Sequence, residues 1–289
     1  MRMLICGAGS IGIYLGVKLH EKGHDVKLFG RKKLGSTKES IIIDNKKFEI
    51  PKKLFKIPKN EKFDFVFLTT KLYDLEKMIK SIKNSGMKYS VIAEIQNGLV
   101  DTSKYKKMLN KNLIPVCVFS GFNLSGNKII VKATPVGWKT ENSATGKKII
   151  RVISNAGIKC TTAKNLDSMR AEKTIINCCL NGLSAIEKKS FNLLFRNKKT
   201  RERIEKLFYE CHNILKQEYN LDSAEKIKKR MYKNWSKLNH YSSTYQDLVS
   251  GRKSEIGFFN GYIVELGKKY NLPTENNEEI LEDFKRLKR

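Results

Sequence analysis

The chain has 289 residues, 57 of them Lys or Arg against 29 Asp or Glu, for a formal net charge of +28. That length excludes a peptide, a zinc finger or a disulfide knot and gives room for two compact domains, while a hydrophobic fraction of 40% with 9% aromatics excludes a disordered chain. The charge invites a polyanion-binding reading, yet the lysines fall on nearly every loop and helix face, as over residues 52–62, with no basic tail or low-complexity block; this is the pattern of a lysine-rich surface rather than of a nucleic-acid footprint.

In chain order, residues 2–6 form a short apolar run, and residues 10–22 carry Ile11, Ile13, Leu15, Val17 and Leu19 before Gly23 closes the segment like a helix C-cap. Residues 25–29 then alternate like a strand. Strand, glycine turn, helix and strand within about thirty residues is the unit that builds a parallel sheet. Between the first strand and the helix lies Gly7-Ala8-Gly9-Ser10-Ile11-Gly12, which fits G-x-G-x-x-G. The first glycine permits the tight turn, the second lets a pyrophosphate approach the backbone, and the third lets helix and strand pack closely. A merely structural tight turn is the competing reading. The stretch Met3–Val17 is too short to span a bilayer and lacks a signal-peptide cleavage pattern, so a reduced, cytoplasmic protein without membrane segments is expected.

The second strand ends Phe29-Gly30-Arg31-Lys32-Lys33, where an NAD site would place Asp or Glu on the ribose 2′-hydroxyl. A guanidinium there favours a 2′-phosphate, hence NADP(H), unless Arg31 to Lys33 is one more solvated basic loop. Residues 40–50 read as a small hairpin turned at Asp44 and Asn45. Strand-like runs follow at Phe63–Leu68, Val91–Ile95, Ile114–Phe119 and Lys128–Val131, with a helix marked by Leu75, Met78, Ile79 and Ile82. Lys71 and Asn97, the latter in a Gln-Asn-Gly turn, fall at strand ends, where open α/β sheets bind ligands, although Asn-Gly is also an ordinary turn dipeptide.

After about residue 164 strand-like runs give way to helical spacing. The expected architecture is therefore an α/β Rossmann-type dinucleotide-binding domain over residues 1–164 and an all-α domain over 165–289, with the boundary near Ala163 to Asp167. Stripes such as Ile204, Leu207, Phe208, Cys211, Ile214 and Leu215, and Ile256, Phe259, Ile263 and Leu266, mark its helices. Lys173, Asn177, Asn181 and Ser184 stand at i, i+4, i+8 and i+11, so they share one face of a helix whose remaining circumference is apolar. Such a stripe either lines a cavity or is satisfied locally, with the lysine snorkelling to solvent. The six cysteines are scattered, with no C-x-x-C pair and no metal-ligand spacing, and His20, His24, His212 and His240 form no catalytic constellation.

Taken together, the glycine motif, Thr69-Thr70-Lys71, Gln96-Asn97-Gly98, the K-x-x-x-N-x-x-x-N helix, and Ser242-Ser243-Thr244-Tyr245-Gln246-Asp247 followed by Ser254-Glu255 resemble the ketopantoate reductases (2-dehydropantoate 2-reductases) in order and spacing over nearly the whole chain. The resemblance implies NADPH-dependent reduction of ketopantoate to pantoate, on the route to pantothenate and coenzyme A. It implies a proton donor at Lys173 and substrate contacts at Asn177, Asn181, Ser243 and Glu255, with Lys71 and Asn97 at the cofactor and reaction centre. The expected partners are a small 2-oxo acid and a second copy of the chain in a homodimer, with no specific nucleic acid. For Glu255 an exposed helix-start position is the alternative, and for Ser243 a helix N-cap. Two departures stand out: Asn181-Gly182-Leu183-Ser184-Ala185 replaces the usual N-P-L-T-A, and the usual His of the strand before the domain boundary is absent near Lys132. The first is a tolerable change, whereas the second leaves open another 2-oxo acid as substrate. From the end of the second strand, NADPH is expected to bind more tightly than NADH; equal dissociation constants in a fluorescence titration would remove the argument from Arg31.

Overall fold

Residues 3–6 are apolar at successive positions, the pattern of a strand covered on both faces. In the computed structural model, which describes residues 1–30, 40–111, 113–132 and 134–287, they lie in β1 (Arg2–Cys6), with Met3 and Ile5 in one buried cluster and Leu4 and Cys6 in another. The chain folds as two units, Met1–Leu166 and Asp167 onwards.

The first unit continues through α1 (Ser10–His20), β2 (Asp25–Phe29), β3 (Ser40–Ile43), β4 (Lys46–Glu49), β5 (Lys52–Leu54), β6 (Lys62–Leu68), α2 (Leu72–Asn84), β7 (Lys88–Glu94), α3 (Thr102–Leu109), β8 (Leu113–Val118), β9 (Gly121–Ser125), β10 (Lys128–Lys132), β11 (Trp138–Thr140), α4 (Ala144–Asn155) and β12 (Cys160–Thr162). Eight strands make one sheet in the order β12-β11-β8-β7-β6-β1-β2-β5. The six from β8 to β5 are parallel, and β11 runs antiparallel against β8. The order reverses between β1 and β6, so the chain leaves β1 to one side and resumes on the other. Ligands of open parallel sheets bind outside the carboxyl ends at such a switch point.

The expected hairpin is β3 and β4, paired antiparallel from Ser40↔Glu49 to Ile43↔Lys46. Asp44 (φ 47°) and Asn45 (φ 66°) take the left-handed conformations that a two-residue turn requires. This hairpin joins β10 and β9 in a second sheet of four strands, which packs on α1 through Ile41, Ile43, Phe122 and Ile129. Arg31 lies outside the described residues.

The second unit is helical. It holds α5 (Leu166–Ile186, whose first residue closes the first unit), α6 (Phe191–Arg196), α7 (Lys198–Leu215), α8 (Ala224–Trp235), α9 (Ser243–Val249), a 3₁₀ turn (Ile256–Phe258), α10 (Asn260–Tyr270) and α11 (Glu275–Arg286). The stripe on α7 is buried from Ile204 to Leu215, as its spacing predicts. The stripe from Ile256 to Leu266 is not one helix: the backbone turns at Phe259 (φ −108°, ψ −84°), which separates the 3₁₀ turn from α10. No helix is long and apolar enough to cross a membrane among the described residues. All six cysteines are buried thiols; burial pushes Cys6, Cys178 and Cys179 well up and Cys160 to about 12, so none of these four is a ready thiolate.

The glycine turn leaves a sharp test of this packing. A Cβ on Gly12 would stand 1.8 Å from the Gly7 carbonyl oxygen, so the turn and α1 must part to admit one. Gly12→Ala is expected to lower stability by about 1–3 kcal/mol, read as a lower midpoint in thermal denaturation; an unchanged midpoint contradicts the close approach.

Candidate active site

In the first unit the candidate residues gather at the carboxyl edge of the sheet, around the switch point. The Gly7 N–H donates to Phe29 O at 2.9 Å, and its φ of 132° is one that side-chain-bearing residues rarely adopt. Thr69, at the end of β6, donates from its N–H to Cys6 O at 2.8 Å and from Oγ1 to Gly7 O at 2.8 Å. The turn is thus bolted to both neighbouring strands. A Cβ on Gly30 would meet Ala8 Cβ at 2.5 Å, so the end of β2 lies directly against the turn.

Gly9 behaves differently. It is the N-cap of α1, and a Cβ built there meets nothing within 4 Å. Packing inside the protein does not demand a glycine at this position; in a G-x-G-x-x-G turn it is the one that would let a pyrophosphate approach the backbone. Being glycine, the cap also offers no side-chain oxygen to the N–H groups of the first turn, where Ser10 and Ile11 stand half-buried. These groups and the helix dipole fit the pyrophosphate of a dinucleotide.

Lys71 is the half-buried N-cap of α2, and half-buried Asn97 follows β7 in a turn whose Gly98 has φ 92°. The two turns are linked, since Gln96 Nε2 donates to Thr70 Oγ1 at 3.4 Å. Beneath them lies a residue that sequence reasoning passed over: Glu94, fully buried at the end of β7, whose Oε2 accepts the Gln96 N–H at 3.2 Å. A carboxylate in the otherwise apolar run Val91–Ile95 was the available signal.

In the second unit the K-x-x-x-N-x-x-x-N segment is indeed one helix. At ~100° per residue, Lys173, Asn177, Asn181 and Ser184 fall within an arc of about 80°. Lys173 is 8% exposed and Asn181 6%, so the snorkelling alternative does not hold for this lysine. Asn177 Nδ2 is buried with no hydrogen-bond partner among the described residues. A buried amide donor left unpaired costs about 1–3 kcal/mol, a cost that a ligand acceptor would remove. Arg170, buried one turn before Lys173, and Thr174 extend the same face; the i−3 spacing was legible and was missed. The Thr174 hydroxyl is used locally, donating to Arg170 O at 3.0 Å.

The start of α9 closes the far end of this face. Ser242 donates from Oγ to Asn181 O at 3.0 Å and from its N–H to Ser184 Oγ at 3.2 Å, and its Oγ accepts the Tyr245 N–H at 3.0 Å. Ser242, not Ser243, is therefore the N-cap, which leaves the half-buried Ser243 side chain without a capping duty. Ser184, donating to Lys189 O at 2.8 Å, is a structural tether rather than part of a lining. Glu255 precedes the 3₁₀ turn at 5% exposure, so it is not the exposed helix-start residue of the alternative reading. Among the described residues no group of His, Cys, Asp and Glu could hold a metal ion.

Comparison with known proteins agrees with this architecture. Residues 3–141 match the model of the family described as Ketopantoate reductase PanE/ApbA, and residues 165–288 match that of Ketopantoate reductase PanE/ApbA C terminal. The 2-dehydropantoate 2-reductase of Aquifex aeolicus is 28% identical over 97% of this chain and 94% of that protein, and the one from Lactococcus lactis subsp. lactis is 27% identical over 95% and 94%. Among solved structures, a PanE/ApbA family ketopantoate reductase from Ralstonia eutropha JMP134 superposes with a TM-score of 0.86 at 22% identity, covering 100% of both chains. D-mandelate dehydrogenase, solved with NADH and anilino(oxo)acetate, does so with a TM-score of 0.83 at 20% identity, covering 99% of this chain and 98% of that one. At such identities the structural likeness speaks to the fold. With both family models matched in order along a glycine-turn sheet unit and a helical unit carrying the buried lysine face, this chain belongs to the ketopantoate reductase family of oxidoreductases.

Proposed function

We propose that the protein is an NADPH-dependent 2-dehydropantoate 2-reductase, reducing the ketone of ketopantoate to the alcohol of pantoate. The observation that carries this reading is the buried Lys173 ammonium on one helix face with Asn177 and Asn181. A reduced nicotinamide, when bound, supplies the hydride. Negative charge then develops on the ketone oxygen, and a cation or proton donor must stand within hydrogen-bond reach of it. Lys173 fills both requirements: its ammonium stabilises the oxyanion and its proton completes the alcohol.

Asn177 and Asn181 donate amide hydrogens to the acid substrate, and the orphaned Nδ2 of Asn177 is the donor with the most to gain. Ser243, released from capping by Ser242, offers its hydroxyl to the same ligand. The Glu255 carboxylate accepts from the substrate hydroxyl and so fixes which face of the ketone is presented. In the sheet unit, Gly7 to Gly12 hold the pyrophosphate, Lys71 and Asn97 take the nicotinamide half, and Arg31 takes the 2′-phosphate.

A second reading keeps the site and changes the acid. The absence of the usual His near Lys132 favours testing it, and D-mandelate dehydrogenase, similar in fold, was solved with anilino(oxo)acetate. Following NADPH oxidation across a panel of 2-oxo acids decides between them; ketopantoate is expected to give the highest kcat/KM.

Two sets of variants test the residue roles. Lys173→Ala is expected to keep the fold and NADPH binding while lowering kcat by several orders of magnitude, and a kcat within about threefold of the unmodified protein contradicts the assignment. The adjacent serines should separate cleanly. Ser242→Ala is expected to cost about 1 kcal/mol of stability as a lost cap, whereas Ser243→Ala should leave the denaturation midpoint in place and raise KM for the 2-oxo acid.

A further inference from the structure

At the carboxyl edge of the sheet the ends of β6 and β7 are bridged by a side chain that none of the roles above uses. The two strands run parallel in the register Leu68↔Glu94, and the Ile95 N–H donates to Leu68 O at 2.8 Å. Beyond that bond the chains part. The Thr69 N–H goes to Cys6 O on β1 at 2.8 Å, and the Gln96 N–H turns back to Glu94 Oε2 of its own strand at 3.2 Å. The Gln96 side chain then crosses to the opposite turn, where its Nε2 donates to Thr70 Oγ1 at 3.4 Å.

Gln96 is 6% exposed, and its Oε1 is buried with no hydrogen-bond partner among the described residues. Its backbone N–H and its amide nitrogen are both engaged, so the side chain is held in place with the oxygen left over. A buried amide oxygen that has given up water and gained no donor is unfavourable, and a ligand bringing an N–H or O–H to it removes that cost.

The position of this oxygen narrows the ligand. Dinucleotides on open parallel sheets place the pyrophosphate at the glycine turn and their two nucleosides on either side of the switch point. With the turn after β1 given to the pyrophosphate and the end of β2 to the 2′-phosphate, the nicotinamide nucleoside falls to the ends of β6 and β7, where Thr70, Lys71 and Asn97 stand half-buried. That nucleoside carries two kinds of uncharged donor, the ribose hydroxyls and the N–H groups of the carboxamide. A hydroxyl also accepts and can be satisfied in several ways, whereas an amide nitrogen only donates and needs an acceptor such as this one.

We infer that Gln96 is a further cofactor-binding residue, whose Oε1 accepts an N–H of the nicotinamide carboxamide. This rests on the proposed reading of the β6 and β7 ends as the nicotinamide half of the dinucleotide site. Glu94 and Thr70 are positioning residues that act through Gln96: the buried carboxylate fixes its backbone and the hydroxyl fixes its amide nitrogen, which leaves the oxygen to the ligand.

The test compares NADP+ with its 3-acetylpyridine analogue, in which a methyl group replaces the carboxamide nitrogen while the ring carbonyl and both riboses are kept, by calorimetric titration of the full-length protein. The unmodified protein is expected to bind NADP+ about tenfold more tightly than the analogue. Gln96→Met keeps the reach of the side chain and removes the acceptor; it is expected to weaken NADP+ by about tenfold while the dissociation constant for the analogue stays within about twofold, so that the preference disappears. Gln96→Ala carries the same comparison should Gln96→Met fail to fold. Equal weakening of both dinucleotides means that Gln96 reads the ribose or only holds the two turns together, and that overturns the inference, as does no weakening at all. The unmodified protein reports on the underlying reading separately: failure to bind either dinucleotide overturns the proposed function and this inference with it, whereas equal dissociation constants leave the dinucleotide site standing and overturn the inference alone.

Discussion

Burying the ammonium of Lys173 is unfavourable unless hydrogen-bonding groups surround it, and the helical unit is organised around that requirement. Helix α5 is apolar over most of its circumference, with Ile175, Cys178, Cys179, Leu180 and Leu183 fully buried, so it has to lie at the centre of the unit. Its polar arc goes inside with it. Each group on the arc then needs a partner: Thr174 turns back to the helix backbone, Ser184 ties down Lys189 and the start of α9, and Asn181 lends its carbonyl to Ser242. Asn177 Nδ2 is the donor that this local arithmetic leaves over. An isolated unsatisfied donor would be a defect; under the proposed function it is the donor that the 2-oxo acid satisfies.

A different constraint governs the sheet unit. Six parallel strands reverse order between β1 and β6, and the turn after β1 must pass between two strands that both claim its backbone. Gly7 can be no larger, because a Cβ would stand 2.5 Å from Thr69 C, and Gly12 is pressed on the Gly7 carbonyl. The glycines at 7 and 12 are thus explained by the protein alone. Gly9 is not, and under the proposed function it is the glycine kept for the pyrophosphate.

The surplus of positive charge follows neither constraint. Among the described residues its ion pairs lie mostly on solvent-accessible side chains: Lys104 and Lys80 both reach Glu76 and hold its carboxyl down to about 2, and Arg230 bridges Glu172 and Asp222. Such pairs are individually weak and screened by salt. Glu172 shows the opposite balance, its carboxyl raised by burial despite Arg230 beside it. The lysines describe a solvated surface.

Much of this was legible in the residue order, because the patterns concerned are local. Short apolar, strand-like runs marked β1 and β6, period-two alternation marked β2, the dipeptide Asp44-Asn45 marked the hairpin, and helical spacing marked α2, α7 and the polar face of α5; each depends only on geometry within one element. Short edge strands such as β5 and β12 were not legible, since three residues carry no period and become strands only through a neighbour's hydrogen bonds. The stripe from Ile256 to Leu266 misled for a related reason: spacing does not reveal a backbone turn at Phe259. Which of Ser242 and Ser243 caps α9 and whether Glu255 is exposed or buried were likewise decided only by tertiary structure. A side chain's periodicity belongs to its own segment, whereas its burial and its hydrogen-bond partner belong to whatever distant segment folds against it.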